Sequence, residues 1–430
     1  MSFLKKALLV NSSALICFVI RLAQTIVLSR LLGPAGIGQY ALITSALMLA
    51  TQISALGFPM AFLYHSQHDP QRSRAYQINC IWAGSILGMV GGLVIATLVW
   101  RCDGYFGQVP WFGCVAVGLY TVFMIQGGIT RNSLLRTLQA KRLSIMTLSS
   151  ALGPIALVLI FAACGRLSVG TALICFMGMH LVRMALGWYW IGPEVDFRIR
   201  PSGPVIRKLG TMGLRLGLVD VMVLLNSSIN IMIIKWLITD FDSIGYFSRG
   251  LQVAMLVVTA SQAVLPLLFS RWASLAEDQL KAHFEKVLRF VTTFSLVVIL
   301  LILVTAKWVI LALYGNEFLP AVVPMMILLP GTVLYLLAKV VIQFLGSRGL
   351  PEISSATLLA GALINALLSV WLIPVLGIRG AALASTSGNL ALVVLLMVMV
   401  VRRFNVNPLH CVLVNGRDCR LMLKQMRKNG

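Results

Sequence analysis

The stretch FSLVVILLILVTA, residues 294–306, carries two hydroxyl side chains and is otherwise hydrocarbon. Apolar blocks of this kind, roughly 20 to 28 residues each, recur along the whole chain between short polar loops, and each is long enough to cross about 30 Å of hydrocarbon as a helix. A chain built this way cannot hide its blocks in one water-soluble core. Apolar residues make up 59% of the 430 positions and charged residues 11%, whereas a soluble domain has about half and a quarter. The expected fold is an all-α polytopic membrane protein.

The spans are expected near 7–30, 36–64, 77–100, 110–133, 144–164 and 168–191, then 210–237, 244–270, 286–306, 318–346, 354–376 and 379–401. The first is too long for a signal-peptide core, contains Arg21 and lacks a small-x-small cleavage site, so it is read as a retained helix. With the N-terminus cytoplasmic, 24 Lys and Arg fall on inward segments and six on outward loops. This is the positive-inside pattern, with both termini inside. It also accounts for most of the net charge of +22 without any nucleic acid. The basic inward face adds attraction to anionic lipids.

The corner LSRLLGPAGIGQY at 28–40 has a counterpart in KWLITDFDSIGYF at 235–247. Shifting the chain by 207 residues lays Ile37 and Gly38 over Ile244 and Gly245, Met48 and Leu49 over Met255 and Leu256, Ser54 over Ser261, Pro59 over Pro266 and Phe62 over Phe269. The implied organisation is two pseudo-symmetric six-helix lobes around a central cavity, as in transporters built from parallel repeats. The lobes are 1–195 and 210–401, joined by a cytoplasmic linker at 196–209 and followed by a basic cytoplasmic tail at 402–430. Pro59 and Pro266, at the same depth in corresponding helices, are read as kinks that serve either gating or plain helix bending.

These residues also carry a family resemblance. VLSRLLGPAGIGQYALITSALMLATQISALGFPMA resembles the first helical hairpin of the polysaccharide-transport, O-antigen flippase branch of the multidrug/oligosaccharidyl-lipid/polysaccharide exporter superfamily, whose members often show ARLLGP-x-x-[FI]-G-x-Y there. DSIGYFSRGLQV resembles its second copy. The resemblance spans residues 1 to about 401. It implies a flippase moving undecaprenyl-pyrophosphate-linked oligosaccharide, such as an O-antigen repeat unit, across the bacterial inner membrane by alternating access. Polysaccharide polymerase and chain-length proteins are the implied protein partners.

Six Asp, Lys or Arg residues lie inside the spans more than three residues from their ends: Arg21, Arg183, Arg215, Asp220, Arg249 and Lys339. Charges at bilayer depth cost at least roughly 2.5–3.5 kcal/mol, so they tend to face a cavity or a partner. Arg183, Arg215 and Arg249 are near enough to helix ends to snorkel. Arg21 and Lys339 each sit nine residues from the next loop arginine, about 14 Å along a helix, and are expected to line the cavity. The cationic excess suits an anionic pyrophosphate, with Arg forks and a Lys point charge as its ligands. Arg21, Gln24, Arg183, Arg249, Lys339 and Gln343 are therefore the candidate substrate contacts. Gln24 and Gln343 would bond sugar hydroxyls or, equally, neighbouring helices. Asp220 is read as a coupling group for H+ or Na+, or as an ion-pair partner of Arg183 or Arg215.

Enzymatic activity is not expected, because the outer loops are too short to hold a catalytic set. No cofactor and no metal site is expected, and His65 and His68 read as part of a polar loop rather than a metal pair. No phosphate-cradling Gly-rich loop followed by Lys and Ser/Thr is present to power an ATP motor. The rival readings are an ion-coupled multidrug antiporter of the same superfamily and a non-transporting scaffold in a polysaccharide-synthesis complex. The antiporter reading expects several membrane carboxylates, and the spans hold one.

Overall fold

A long apolar helix needs a residue free of a Cβ, or a proline, to change direction, and this chain places one of each at its first corner. In a computed structural model, which describes residues 3–404 and 406 apart from 138, 262–264, 266–267, 269–270, 273–274 and 276, helix α1 (Phe3–Ala55) is interrupted at Gly33, with φ 65° and ψ −179°. Pro34 then opens the second arm, where its missing N–H costs nothing. Fifty-three residues of straight helix would span about 80 Å, well beyond the roughly 40–45 Å of a bilayer. The two arms of α1 thus hold the first expected span and the start of the second.

The second span does not continue to residue 64 as one kinked helix. It breaks at Leu56 and Gly57, both with positive φ (45° and 65°), and restarts as α2 (Phe58–His68) with Pro59 in its first turn. Pro59 is therefore a helix starter; the bend expected of it comes two residues earlier. Pro266 lies outside the described residues.

The chain continues through α3 (Ser73–Arg101), a short α4 (Asp103–Phe106), α5 (Trp111–Arg136), α6 (Ala140–Ala163) and α7 (Val169–Ile191). Ser168 and Thr171 cap the start of α7 reciprocally, satisfying two otherwise orphaned amides. Next come α8 (Gly203–Ile238) and α9 (Phe241–Ala254). Thr239, at φ 63°, ends α8. Asp240 then caps α9 by accepting from the amides of Asp242 (3.2 Å) and Ser243 (3.0 Å). The remaining helices are α10 (Leu256–Ser261), α11 (Glu277–Tyr314), α12 (Val322–Ser347), α13 (Pro351–Leu376) and α14 (Ile378–Phe404).

Ten helices among the described residues are long and apolar enough to cross a membrane. The difference from twelve has two physical sources. The bent α1 counts once although it covers two expected spans, and the span expected at 244–270 falls on α9, α10 and partly undescribed residues. Large apolar side chains such as Leu300, Leu301, Val304 and Trp308 on α11 stand exposed, as a lipid-facing surface requires. The protein is a multi-pass membrane protein.

The chain forms two compact units, Met1–Ser248 with Leu313–Phe318, and Arg249–Ala312 with Leu319–Gly430. The expected lobe boundary at 196–209 differs from this division, because α8 packs on α1, α2 and α3 and so stays with the first unit. The second unit centres on Trp272, whose indole N–H donates to His283 Nδ1 at 3.0 Å. Phe284 and Phe344 meet beside it at 4.2 Å between ring centroids.

Two contacts inside the first unit involve both copies of the repeated corner. Gly38 lies so close to the Phe241 carbonyl that no Cβ fits between them, and Gly245 lies equally close to the Pro34 carbonyl. Helices approach this closely only where side chains are absent.

Candidate functional site

The break between α1 and α2 frees backbone groups that need partners at membrane depth. Asn132 on α5 donates to the Pro59 carbonyl at 2.6 Å, and the Cys80 thiol on α3 reaches the Phe58 carbonyl at 3.4 Å. Gly57 rests directly on the backbone of α8 at Gly213 and Gly217. A buried cluster of Phe58, Ala61, Phe62, Tyr76, Cys80 and Leu209 packs around the restart of the helix. The break is thus clasped from three sides.

Beside it, wholly within the first unit, lies a cavity of about 190 Å³. Its polar wall is Thr51, Gln52, Arg131, Asn132, Arg183 and Asp220, and Gly57, Pro59 and Gly217 bring the broken helix to its edge. Arg131 and Arg183 are within electrostatic reach of each other, and Arg21 on α1 is within reach of Arg183. Among the described residues Arg131, Arg183 and Asp220 have no ion-pair partner. Two guanidiniums against one carboxylate leave the lining net positive.

The placement of the sequence candidates follows from this. Arg183 and Asp220 line the cavity and Arg21 lies near Arg183, whereas Arg215 stands exposed on α8 and is not part of the wall. Gln24 is half-buried, three residues beyond Arg21. Arg249, Lys339 and Gln343 belong to the second unit. Arg249 is buried and its Nη1 donates to Gln252 Oε1, while the Lys339 ammonium lies 5.1 Å from the Tyr335 ring centroid. His65 and His68 stack on different rings, His65 on Tyr76 at 5.3 Å and His68 on Tyr64 at 4.2 Å.

Sequence reasoning missed Arg131, Asn132 and Gln52. Arg131 lies only two residues from the expected span end at 133 and so reads as a loop charge, but α5 runs on to Arg136 and carries Arg131 inside the helix. A continuous helical pattern past TRNSLLR was the available signal. Buried next to the arginines is an aromatic group that was also missed. Tyr120 stacks on Phe176 at 5.1 Å, and His180 meets Tyr120 edge-on at 4.6 Å.

At the mouth of the α8–α9 turn, Asp240 is the ionisable group with a clear electrostatic signature. Burial pushes its carboxyl up, but the Ser243 amide and hydroxyl, the Asp242 amide and the Lys235 ammonium outweigh that and hold it below the ordinary carboxylate range.

Residues 27–323 match the family model described as polysaccharide biosynthesis protein. The chain belongs to the polysaccharide biosynthesis protein family. Family membership agrees with the fold of solved transporters. An inward-facing multidrug resistance MATE family transporter of the MOP superfamily aligns over 93% of this chain and 98% of its own, with a TM-score of 0.76 and 13% identity. The lipid II flippase MurJ, in an inward closed conformation, aligns over 93% and 89%, with a TM-score of 0.75 and 12% identity. A MOP superfamily transporter from Pyrococcus furiosus, described as having a binding pocket of reverse polarity, aligns over 93% and 96% at a TM-score of 0.67 and 14% identity. No curated protein sequence matches the chain. This member of the polysaccharide biosynthesis family therefore has the fold of MOP superfamily transporters.

Proposed function

We propose that this protein is a flippase for oligosaccharide carried on a polyprenyl pyrophosphate, and that the cavity of the first unit receives the charged headgroup. The observation that carries the reading is the pair of arginines, Arg131 and Arg183, lining a polar cavity among apolar helices without an ion-pair partner among the described residues. Arg183 is half-buried and Arg131 exposed, and cations within apolar helices tend to face a cavity or a partner. The planar forks of the two arginines suit phosphate oxygens, and Arg21 adds a third positive charge nearby. Thr51, Gln52 and Asn132 offer hydroxyl and amide groups of the kind that bind sugar hydroxyls. Gln24, Arg249, Lys339 and Gln343 are proposed to meet the cargo at other stages of the cycle.

In this reading the protein sits in the bacterial inner membrane with both termini cytoplasmic, its two six-helix halves alternate access, and no catalytic step occurs. H+ or Na+ is the proposed coupling ion, and polysaccharide polymerase and chain-length proteins are the proposed neighbours. Asp220, in the same cavity, is the feature that favours the rival drug-antiporter reading, since a carboxylate attracts organic cations.

The experiment that tests the reading deletes the gene and follows lipid-linked oligosaccharide, surface glycan and drug tolerance together. The cargo is expected to accumulate on the cytoplasmic face while drug tolerance stays unchanged. Restoring the gene with Arg131→Gln or Arg183→Gln, at equal membrane level, is expected to give roughly tenfold or lower export each, since a hydrogen bond to a charged group is worth about 1.5–3 kcal/mol. Normal surface glycan together with new sensitivity to cationic dyes would replace the flippase with the antiporter.

A further inference from the structure

We propose that His180 is a proton-binding site coupled to anion binding at Arg21, Arg131 and Arg183, so that cargo anion and proton enter the protein together. The inference rests on the reading of those arginines as an anion site and adds a coupling group to it.

His180 sits on α7 with 5% of its surface exposed. Neither Nδ1 nor Nε2 has a hydrogen-bond partner among the described residues, and the same holds for the Tyr120 hydroxyl beside it. The ring is held only by packing, edge-on to Tyr120 at 4.6 Å and to Phe176 at 5.8 Å. A buried N–H with no acceptor costs free energy that a phenylalanine in the same place would not. Packing alone therefore gives no reason for a histidine here.

Its neighbours give one. Arg183 follows three residues later, on the same side of α7, and both Arg183 and Arg21 are within electrostatic reach of the imidazole. From α1 the facing groups are Arg21, Cys17 and Tyr40; from α5 they are Tyr120 and, next to Arg183, Arg131. Helix α6 carries its charges, Lys141 and Arg142, in its first turn. No Asp or Glu occurs in α1, α5, α6 or α7, and Asp220 stands across the cavity on α8.

With the three arginines bare, a fourth positive charge on the imidazole is opposed by its surroundings. A doubly charged anion across the arginines offsets most of that opposition, and the proton binds more readily. Linkage makes the effect reciprocal: a proton on His180 tightens the anion by the factor with which the anion tightens the proton. Histidine is the side chain suited to this near neutral pH. Binding headgroup and proton together, and releasing them together, ties both ligands to the same state of the cavity.

The test uses the full-length protein in lipid nanodiscs with inorganic sulfate as probe, because sulfate keeps its charge across the range. Sulfate affinity is measured from about pH 8 down to about pH 5.5, with one linked proton setting a ceiling of about tenfold per pH unit. Wild-type affinity is expected to rise toward that slope as pH falls, and His180→Phe is expected to bind with little pH dependence. Equal slopes in the two proteins, or a flat wild type, overturn the proposal while leaving the anion site standing. Absence of sulfate binding at every pH overturns the anion site and this inference with it. Should His180→Phe fail to fold, a chain with the other four histidines replaced by Gln and labelled with 15N-histidine gives a direct answer. Adding sulfate at fixed pH must convert its imidazole signal toward imidazolium, and an unchanged signal refutes the coupling.

Discussion

Gly217→Ala probes the clasp around the broken helix. A Cβ built on Gly217 would stand 2.8 Å from both Cα and N of Gly57 and 3.3 Å from the Leu56 carbonyl carbon. Comfortable carbon contacts lie at about 3.5–4.0 Å, so α8 or the break must yield by nearly an ångström. The obstacle is backbone on both sides, and no flexible side chain can swing away. Overpacking of this kind costs about 1–3 kcal/mol. Alanine returns about 0.5–1 kcal/mol of helix preference, so the net loss is expected near 1–2 kcal/mol. Gly210→Ala, two turns earlier on the same helix, is the internal control. Its Cβ would meet only Phe58 Cζ at 3.8 Å, an ordinary contact, and it is expected to keep the helix gain. Gly57→Ala adds a left-handed backbone penalty of about 1–2 kcal/mol and is expected to be the worst of the three. Melting in one detergent with a thiol-reactive dye reads the order directly, because Cys80 and Cys175 are buried until the fold opens. The reasoning fails if Gly217→Ala melts at or above the wild type, or if Gly210→Ala falls as far as Gly217→Ala does.

Asn132→Ala removes the 2.6 Å donor to the Pro59 carbonyl and is expected to cost about 1–3 kcal/mol in the same melt; an unchanged melting point would show that the freed carbonyl finds another partner. Asp240→Ala is expected to lose about 0.5–2 kcal/mol by uncapping α9, while Asp240→Asn, which keeps an acceptor, stays near wild type. Because the folded Asp240 carboxyl is held below its ordinary value, its contribution is present above about pH 4 and lost as pH falls through the folded value. The acid limb of wild-type stability should therefore be steeper than that of Asp240→Asn, and equal limbs would refute the capping argument. Arg131→Lys keeps charge but loses the bidentate fork, so its export should fall between wild type and Arg131→Gln; export equal to that of Arg131→Gln would mean that charge is not what the cargo needs.

Much of this architecture is legible before any coordinates, because lipid forces apolar blocks into helices and leaves little else to decide. The same logic singles out Arg183 and Asp220, which line the cavity, although it ranks Arg21 and Lys339 ahead of Arg183 as cavity residues. What escaped was tertiary in origin. Positive φ at Leu56 and Gly57 is affordable only because α8 presents glycines at the facing positions and Asn132 reaches across from α5, and no local pattern announces that combination. Pro59 drew attention two residues too late for the same reason. The assignment of α8 to the first unit was hidden as well, since the polar run at 196–209 looks like a boundary although the helix after it packs backward. His180 has no sequence signal at all; an isolated histidine in an apolar helix reads as core until its unpartnered nitrogens and cationic neighbours are seen.

The paired corners have a consequence of another kind. The shift that lays Gly38 over Gly245 also lays Pro34 over Phe241, and the observed contacts are Gly38 with Phe241 and Gly245 with Pro34. Exchanging the two halves of the chain thus maps this crossing onto itself, the signature of an isologous contact between identical subunits. A single polypeptide here carries the handshake of a homodimer. Neither corner can drift alone, because the surface each one must fit is a copy of itself, and a bulkier residue admitted on one side is met by a neighbour whose own room has already been spent.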